Sequence, residues 1–332
     1  MSRSGFTRFV EYAPGTPVGN DELPVPFQNI ERRTGITCRH IAAPEDTVES
    51  IALEAGRQLF EALTIQGEDC GGLVLSSCAG QSKDLNKTAD SVAHQLNIRG
   101  KTIGINFACS GFPAATEKAL ELCSDQEKHI VVITAEMLSR LADWRQENIA
   151  ILVGDRAAAT TVHPNGPHEI LEARAGFIND PQELLDLRRV DDALDAQGNT
   201  GPRDCILMDG AQLYRRAPAD MLALVEASLK RLGLGLADLS TIVQHQANGR
   251  FAQKLRKLLS EKDGGKDVYV VDEIARMGNV GSSSIPCALT HIQDDFADGQ
   301  IISCPAVGAG PDWKRGQLSQ GIVTFRASAP EG

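Results

Sequence analysis

Residues 102–123 read T-I-G-I-N-F-A-C-S-G-F-P-A-A-T-E-K-A-L-E-L-C, an apolar strand leading into a helical run. The first six residues are typical of a buried strand. Ser110 and Gly111 suit a sharp turn, and Pro113 suits the first turn of a helix. Cys109 stands at this joint, where the helix dipole favours a thiolate and backbone N–H groups can stabilise an oxyanion. The stretch therefore points to a nucleophile, with a buried structural cysteine as the alternative.

The same alternation of strands and helices extends in both directions from this stretch. Predicted strands cover residues 72–76, 102–107, 129–134, 150–153, 158–162, 241–243, 268–271, 300–303 and 320–326. Predicted helices cover residues 47–63, 89–96, 114–123, 221–232, 250–259 and 284–296. The pattern predicts an α/β fold with a largely parallel sheet. Residues 181–203 are polar and form the predicted join between two similar halves, 1–180 and 181–332.

Composition narrows the classes of function. The 332 residues carry a formal net charge of −11, which argues against wholesale nucleic-acid binding. No apolar run approaches the roughly 18 residues of a membrane span, and the N-terminus lacks the apolar region of a secretory signal. The eight cysteines form no CxxC pair, so we expect reduced thiols, a cytoplasmic location and no metal site.

Two further polar residues follow predicted strands in the second half. His245 lies in Q-H-Q-A-N-G-R directly after one strand, where side chains reach the crevice above a sheet. Asn279 lies in M-G-N-V-G-S-S-S, a glycine- and serine-rich turn before a helix. Singly, they can be explained as a surface histidine and a helix cap. Together, one thiol and two hydrogen-bond donors suit thioester chemistry, in which the thiolate takes an acyl group and the donors stabilise an enolate.

Five segments carry a resemblance to a known family. They are RRTGITCRHIAAPEDT at 32–47, FACSGF at 107–112, LVGDRAAA at 152–159, HQANGRF at 245–251 and GNVGSSSIPCAL at 278–289. In these motifs, their order and their spacing, the chain resembles the β-ketoacyl-acyl-carrier-protein synthase III family of the thiolase superfamily. The resemblance implies a five-layered αβαβα fold built from two similar halves, and a homodimer.

The resemblance also implies a reaction and a set of residues. Cys109 takes the acyl group of an acyl-CoA or acyl-carrier-protein donor, and the amides of Cys109 and Ala309 form its oxyanion hole. His245 and Asn279 then act in the decarboxylation of a malonyl carrier-protein thioester. Expected substrate- or carrier-binding residues are Arg33, Asn248, Arg250, Arg215 and Leu85, the last across the dimer. No metal or redox cofactor is implied.

Several positions depart from the family pattern. Asn29 stands where the family often has a Trp that stacks on the CoA adenine, and Glu147 stands where it has an Arg. Trp144 and Arg145 are candidate replacements for this clamp. The core chemistry is retained, whereas the positions that recognise the donor depart from the family pattern. A specialised condensing enzyme of fatty acid, biotin-precursor or secondary-metabolite synthesis is therefore expected. A non-decarboxylating acyltransferase and a catalytically silent partner subunit remain alternatives; the first often alters the Asn279 position, and the second predicts loss of Cys109 or His245.

Overall fold

The computed structural model describes residues 4–78, 82–123 and 127–330. The strands in these ranges are β1 (Gly5–Phe6), β2 (Val10–Tyr12), β3 (Pro17–Gly19), β4 (Cys38–His40), β5 (Cys70–Ser76), β6 (Lys101–Ile105), β7 (His129–Met137), β8 (Asp155–His163), β9 (His168–Asn179), β10 (Leu185–Leu194), β11 (Thr200–Met208), β12 (Leu239–Ile242), β13 (Tyr269–Val270), β14 (Ile301–Ala309) and β15 (Gln317–Arg326). The helices are α1 (Ile30–Thr34), α2 (Val48–Leu63), α3 (Ser82–Gln95), α4 (Gly111–Cys123), α5 (Glu147–Ala150), α6 (Gly210–Leu232), α7 (Gly249–Ser260) and α8 (Ser284–Ile292).

Ten of these strands lie side by side in the order β13-β12-β14-β15-β9-β1-β8-β7-β5-β6, and β2 joins the same sheet by pairing with β8. Pairing is parallel towards both ends and antiparallel through the middle, from β14 to β7. The expected α/β class is confirmed, but the expectation of a largely parallel sheet is wrong. Strands β1 and β9, which the sequence pattern did not indicate, supply three of the antiparallel pairings.

The helices form three layers around the sheet. α2 and α3 pack outside strands β5 to β8, and α6 with α7 packs outside the β12–β15 end. α4 contacts β5 and β7 on one side and β9 and β15 on the other, so it lies between the two ends of the sheet. The large central core includes Phe6, Phe112, Ile285 and Phe325. The two ends of the sheet form two β layers between the three helical layers, which gives the expected five-layered αβαβα fold.

The polar segment predicted as a join is an ordered β-hairpin. β10 pairs with β11, and a bulge interrupts the register between Val190 and Ala193. The Asp195 carboxylate closes the turn by accepting the backbone N–H of Asn199 at 2.7 Å. The sequence pattern did not indicate these two strands, because the bulge breaks the period-two alternation that marks a strand. Division of the chain at residue 180 stays a prediction.

Two predicted elements have different bounds in the structure. Helix α6 begins at Gly210, eleven residues before the predicted start, and contains Pro218, whose presence argues against a helix interior. Residues 150–153 are not a strand, since α5 ends there and Leu152 accepts the backbone N–H of Asn279 instead. None of the helices in the described ranges is long and apolar enough to cross a membrane.

Candidate active site

Cys109 lies on a tight turn between β6 and α4, as the sequence predicts. The preceding Ala108 has a φ of 45°, in the left-handed region that a non-glycine residue adopts at a cost of about 1–3 kcal/mol. Asn106 holds this turn, because its Oδ1 accepts the Ala108 N–H at 3.0 Å. On the other side, a Cβ on Gly308 would lie 2.6 Å from the Cys109 nitrogen, so only glycine allows β14 to approach this closely.

His245 follows β12 and is buried, with 4% of its surface exposed. Its backbone N–H donates to the Pro305 carbonyl at 3.0 Å, which ties it to β14. The ring Nδ1 lies 2.7 Å from the Ser284 hydroxyl at the start of α8. The imidazole lines the same cavity as the Cys109 thiol and lowers the pKa of that thiol. Ser284 therefore fixes the orientation of the ring at the cavity wall.

Asn279 links two segments of the site that are far apart in the sequence. Its backbone N–H donates to the Leu152 carbonyl at 2.7 Å, and its own carbonyl accepts from the Gly154 N–H at 3.0 Å. Its side-chain Oδ1 accepts from the Gly281 N–H at 3.0 Å. The amide nitrogen is the remaining polar group of the side chain, and the residue lines the same cavities as Cys109.

A second thiol, Cys78, lines the same small cavity as Cys109. A hydrogen bond from Cys78 and a further one from His245 hold the pKa of Cys109 well below its usual value of 9.0, although burial opposes this shift. The hydrogen bond to Cys109, burial and the nearby Glu136 raise the pKa of Cys78 well above the same value. Burial raises the pKa of Glu136 to about 8. Cys109 is therefore the thiolate of the pair and Cys78 the thiol.

Cys109, His245 and Asn279 open into one cavity of about 680 Å³. Four of the predicted binding residues line it: Arg33, Asn248, Arg250 and Arg215. Behind Cys109 is a much smaller cavity of about 50 Å³, lined almost entirely by apolar groups. Its walls include Leu138, Ile206, Ala309 and Trp313. Ala309, the predicted second oxyanion residue, thus lines the same small cavity as Cys109.

The other predicted binding positions lie elsewhere or are engaged. Leu85 is buried on α3 against Gly104 of β6, and it lines neither cavity of the single chain. Trp144 is fully buried and donates its indole N–H to the Ser139 carbonyl, so it does not replace the missing Trp. Arg145 is held by Asp143 and Asp192. Neither residue forms the adenine clamp that we considered from the sequence.

The entrance of the large cavity carries an ion pair. Arg33 Nη1 lies 2.5 Å from Glu147 Oε1, and both side chains are about two-fifths exposed, at 37% and 42%. Glu147 thus pairs with the guanidinium of Arg33, one of the expected substrate- or carrier-binding residues. Arg256, which is close in sequence to Arg250, instead pairs with Asp272 and donates to the Val270 carbonyl.

Sequence reasoning missed several residues of this site. Cys78 follows β5 and Glu136 lies near the end of β7, and each had the sequence pattern of an ordinary core residue. Leu185 and Met208 of the unpredicted hairpin line both cavities. The early turns of α6 also line the larger one, with Gly210, Leu213 and Ala217. Only Ser284 carried a signal, its position in the G-N-x-x-x-x-S motif.

Comparisons with known proteins agree with this geometry. Residues 103–177 match the family described as 3-oxoacyl-[acyl-carrier-protein (ACP)] synthase III, and residues 229–318 match its C-terminal domain. The chain is 30% identical to the β-ketoacyl-[acyl-carrier-protein] synthase III of Methylococcus capsulatus over 310 residues, covering 91% of this chain and 94% of the relative. It is also 30% identical to the enzyme of Hyphomonas neptunium over 329 residues, covering 94% and 98%.

Solved structures show the same relationship. The 3-oxoacyl-[acyl-carrier-protein] synthase III of Aquifex aeolicus superimposes with a TM-score of 0.78 at 26% identity, covering 97% of this chain and 99% of that one. The priming β-ketosynthase of the R1128 polyketide pathway, at 24% identity and a TM-score of 0.81, shares the fold over 99% and 97% of the two chains. The chain belongs to the β-ketoacyl-[acyl-carrier-protein] synthase III family, and it is a thiolase-fold condensing enzyme that transfers acyl groups.

Proposed function

We propose that this enzyme loads a short acyl group on Cys109 and condenses it with a malonyl thioester. The observation that carries this proposal is the convergence of Cys109, His245 and Asn279 on one cavity wall. The thiolate attacks the donor thioester carbonyl, and the donor thiol leaves. The N–H groups of Cys109 and Ala309 are the proposed donors to the tetrahedral oxyanion.

The second half of the reaction uses the other two side chains. A malonyl thioester loses CO₂, and the electron pair of the broken C–C bond forms an enolate. The His245 imidazole and the Asn279 amide donate hydrogen bonds to the enolate oxygen. The enolate carbon then attacks the acyl carbonyl, which releases the Cys109 thiolate and a β-ketoacyl thioester. An intact Asn279 favours this reading over a non-decarboxylating acyltransferase.

The small cavity behind Cys109 supports a short acyl group. Its volume is about 50 Å³, and a single water molecule needs roughly 10–15 Å³ of such space. Leu138, Ile206 and Trp313 close it with apolar surface. We therefore propose an acyl chain of a few carbon atoms without a charged end, and this disfavours a dicarboxylic donor.

A carrier protein is the proposed donor and acceptor of thioesters. The ion pair between Arg33 and Glu147 at the entrance weakens a phosphate site for CoA. The cavity mouth also carries Arg215 and Arg250, which suit an acidic carrier. A homodimer is the proposed assembly. Strand β6 lies at one end of the sheet, and the chain shares the fold of its relatives throughout. A sedimentation mass of one chain would contradict this proposal. We propose a cytoplasmic location, where its thiols stay reduced.

Intact-protein mass spectrometry tests the first step. Incubation with acetyl carrier protein should give a single acetyl adduct, and Cys109→Ala should lose it. The matched control is Cys38→Ser, because Cys38 is a half-buried thiol outside both cavities. An adduct that persists in Cys109→Ala would show that another residue carries the acyl group.

A further inference from the structure

Cys78 is a buried thiol that the proposed reaction does not consume. It follows β5, and only 1% of its surface is exposed. Cys78 and Cys109 both line the small apolar cavity of about 50 Å³. Two thiols that face one small cavity, one of them the proposed nucleophile, are an arrangement in which a disulfide can form during oxidation.

The backbone of Cys78 is fixed from three sides. Its N–H donates to Glu136 Oε2 at 2.8 Å, and its carbonyl accepts from Asn106 Nδ2 at 3.2 Å and from Trp313 Nε1 at 2.8 Å. Asn106 also accepts the Ala108 N–H, so one side chain ties Cys78 to the turn that carries Cys109. The two side chains are thus held facing the same small cavity, and their rotation into it supplies the approach to a bond of about 2 Å.

We propose that hydrogen peroxide converts Cys78 and Cys109 into a reversible disulfide that switches the enzyme off and protects its nucleophile. The two thiols differ in access, which sets the order of events. Cys109 is half-buried at the base of the 680 Å³ cavity and meets peroxide, whereas Cys78 is enclosed.

The reaction balances in two steps. The Cys109 thiolate attacks one peroxide oxygen, the O–O bond breaks, and the departing hydroxide takes up a proton to leave as water. The resulting sulfenic acid is then attacked by the Cys78 sulfur; the S–S bond forms, the S–O bond breaks, and the hydroxide leaves as water with the Cys78 proton. In sum, two thiols and one peroxide give one disulfide and two waters. Without Cys78, a second peroxide oxidises Cys109 to the sulfinic acid, which is not readily reversed.

The test treats the folded enzyme with limiting hydrogen peroxide and follows two readouts that do not depend on the acyl substrate. The first is non-reducing tryptic mapping, in which residues 58–83 should be linked to residues 102–118. The second is alkylation of Cys109 by iodoacetamide, which should be lost after peroxide and return after dithiothreitol. Cys70 shares the first peptide, so Cys70→Ser is the matched control and should form the same link.

Cys78→Ser decides whether the second thiol protects the first. Serine keeps a hydrogen-bond donor but cannot form the disulfide, so peroxide should oxidise Cys109 to the sulfinic acid, and dithiothreitol should not restore alkylation. Equal recovery in wild type and Cys78→Ser would overturn the proposal. So would wild-type Cys109 that becomes sulfinic without the linked peptide, a result that stands even if the variant does not fold.

Discussion

At the scale of single residues, the reactivity of Cys109 depends on two neighbours from different parts of the chain. Cys78 comes from the end of β5, and His245 comes from the end of β12. Both lower the pKa of the same thiol against the effect of burial. The motif FACSGF predicts Cys109 as the nucleophile, whereas nothing in the sequence around Cys78 predicts that it lines the same cavity. The two residues share this cavity only because adjacent strands β5 and β6 bring their ends to the same edge of the sheet.

The first prediction concerns the pH dependence of this thiol. Because the native pKa of Cys109 lies below 9.0, its alkylation by iodoacetamide should stay fast well below that pH and fall only below the lowered pKa. Cys78→Ala removes a hydrogen bond to a charged group, an interaction of about 1.5–3 kcal/mol, so alkylation at neutral pH should slow by about tenfold to a hundredfold. Cys78→Ser keeps a donor and serves as the control. Superimposable rate–pH profiles for the alanine and serine variants would remove Cys78 from this role.

The second prediction separates the two halves of the reaction. His245→Ala and Asn279→Ala should still accept an acyl group on Cys109, but each should lose about 10²–10³ in the rate of CO₂ release from malonyl thioester. Ser284→Ala should lower the same rate by a smaller factor, because it frees the His245 ring without removing it. Release of labelled CO₂ provides the measurement. Unchanged decarboxylation in both alanine variants would favour the non-decarboxylating acyltransferase.

At the scale of secondary structure elements, the cavity is built largely by segments that sequence patterns describe poorly. The hairpin of β10 and β11 contributes Leu185, Ile206 and Met208 to the cavity walls. Its first strand reads L-D-L-R-R-V-D-D-A-L, and the bulge after Val190 removes the alternation that would mark it. The carboxylate of Asp186 is buried there with Arg188 and Arg315 as partners, which only tertiary structure supplies.

The third prediction tests the ion pair between α1 and α5. Glu147→Gln should bind CoA about fivefold more tightly, because it removes the repulsion between the Glu147 carboxylate and a CoA phosphate. Two like charges about 4 Å apart in water repel by about 1 kcal/mol. Asn29→Trp should add base stacking worth about 1–3 kcal/mol, or about ten- to a hundredfold. Titration calorimetry with CoA measures both. Glu31→Gln removes the same charge from a neighbouring exposed position, and equal affinity in the two glutamine variants would exclude a specific effect of Glu147.

At the scale of the whole molecule, the family resemblance predicted more than periodicity did. Periodicity predicted alternating strands and helices, but not the antiparallel centre, because β1 has only two residues and β9 carries mixed polar and apolar residues. The five matching motifs predicted the layered fold, and the three residues that they single out, Cys109, His245 and Asn279, line one cavity; their roles in the reaction stay predictions. Leu85 lines neither cavity of the single chain, and its expected place at the acyl pocket requires a second copy of the chain.

The fourth prediction concerns carrier docking at the cavity mouth. Arg250→Glu should raise the KM for acyl carrier protein by roughly fivefold at low ionic strength, the effect of about 1 kcal/mol, and added salt should reduce the difference. Lys254 is a poorer target, because its ammonium already donates to the Arg215 carbonyl at 2.6 Å. Lys230→Glu is the matched control, since it lies at the far end of α6. A KM that rises equally in both variants would indicate a general charge effect.

The backbone link between Leu152, Gly154 and Asn279 has a consequence for how the intact site can be monitored. Two hydrogen bonds join segments that are more than a hundred residues apart, and each takes up one of the two amide protons. Solvent deuterium can replace them only when the two segments separate, an opening whose free energy approaches that of global unfolding when the segments belong to the core. The hydrogen-exchange rates of the Gly154 and Asn279 amides therefore report the fraction of molecules with an assembled site, without any substrate being added.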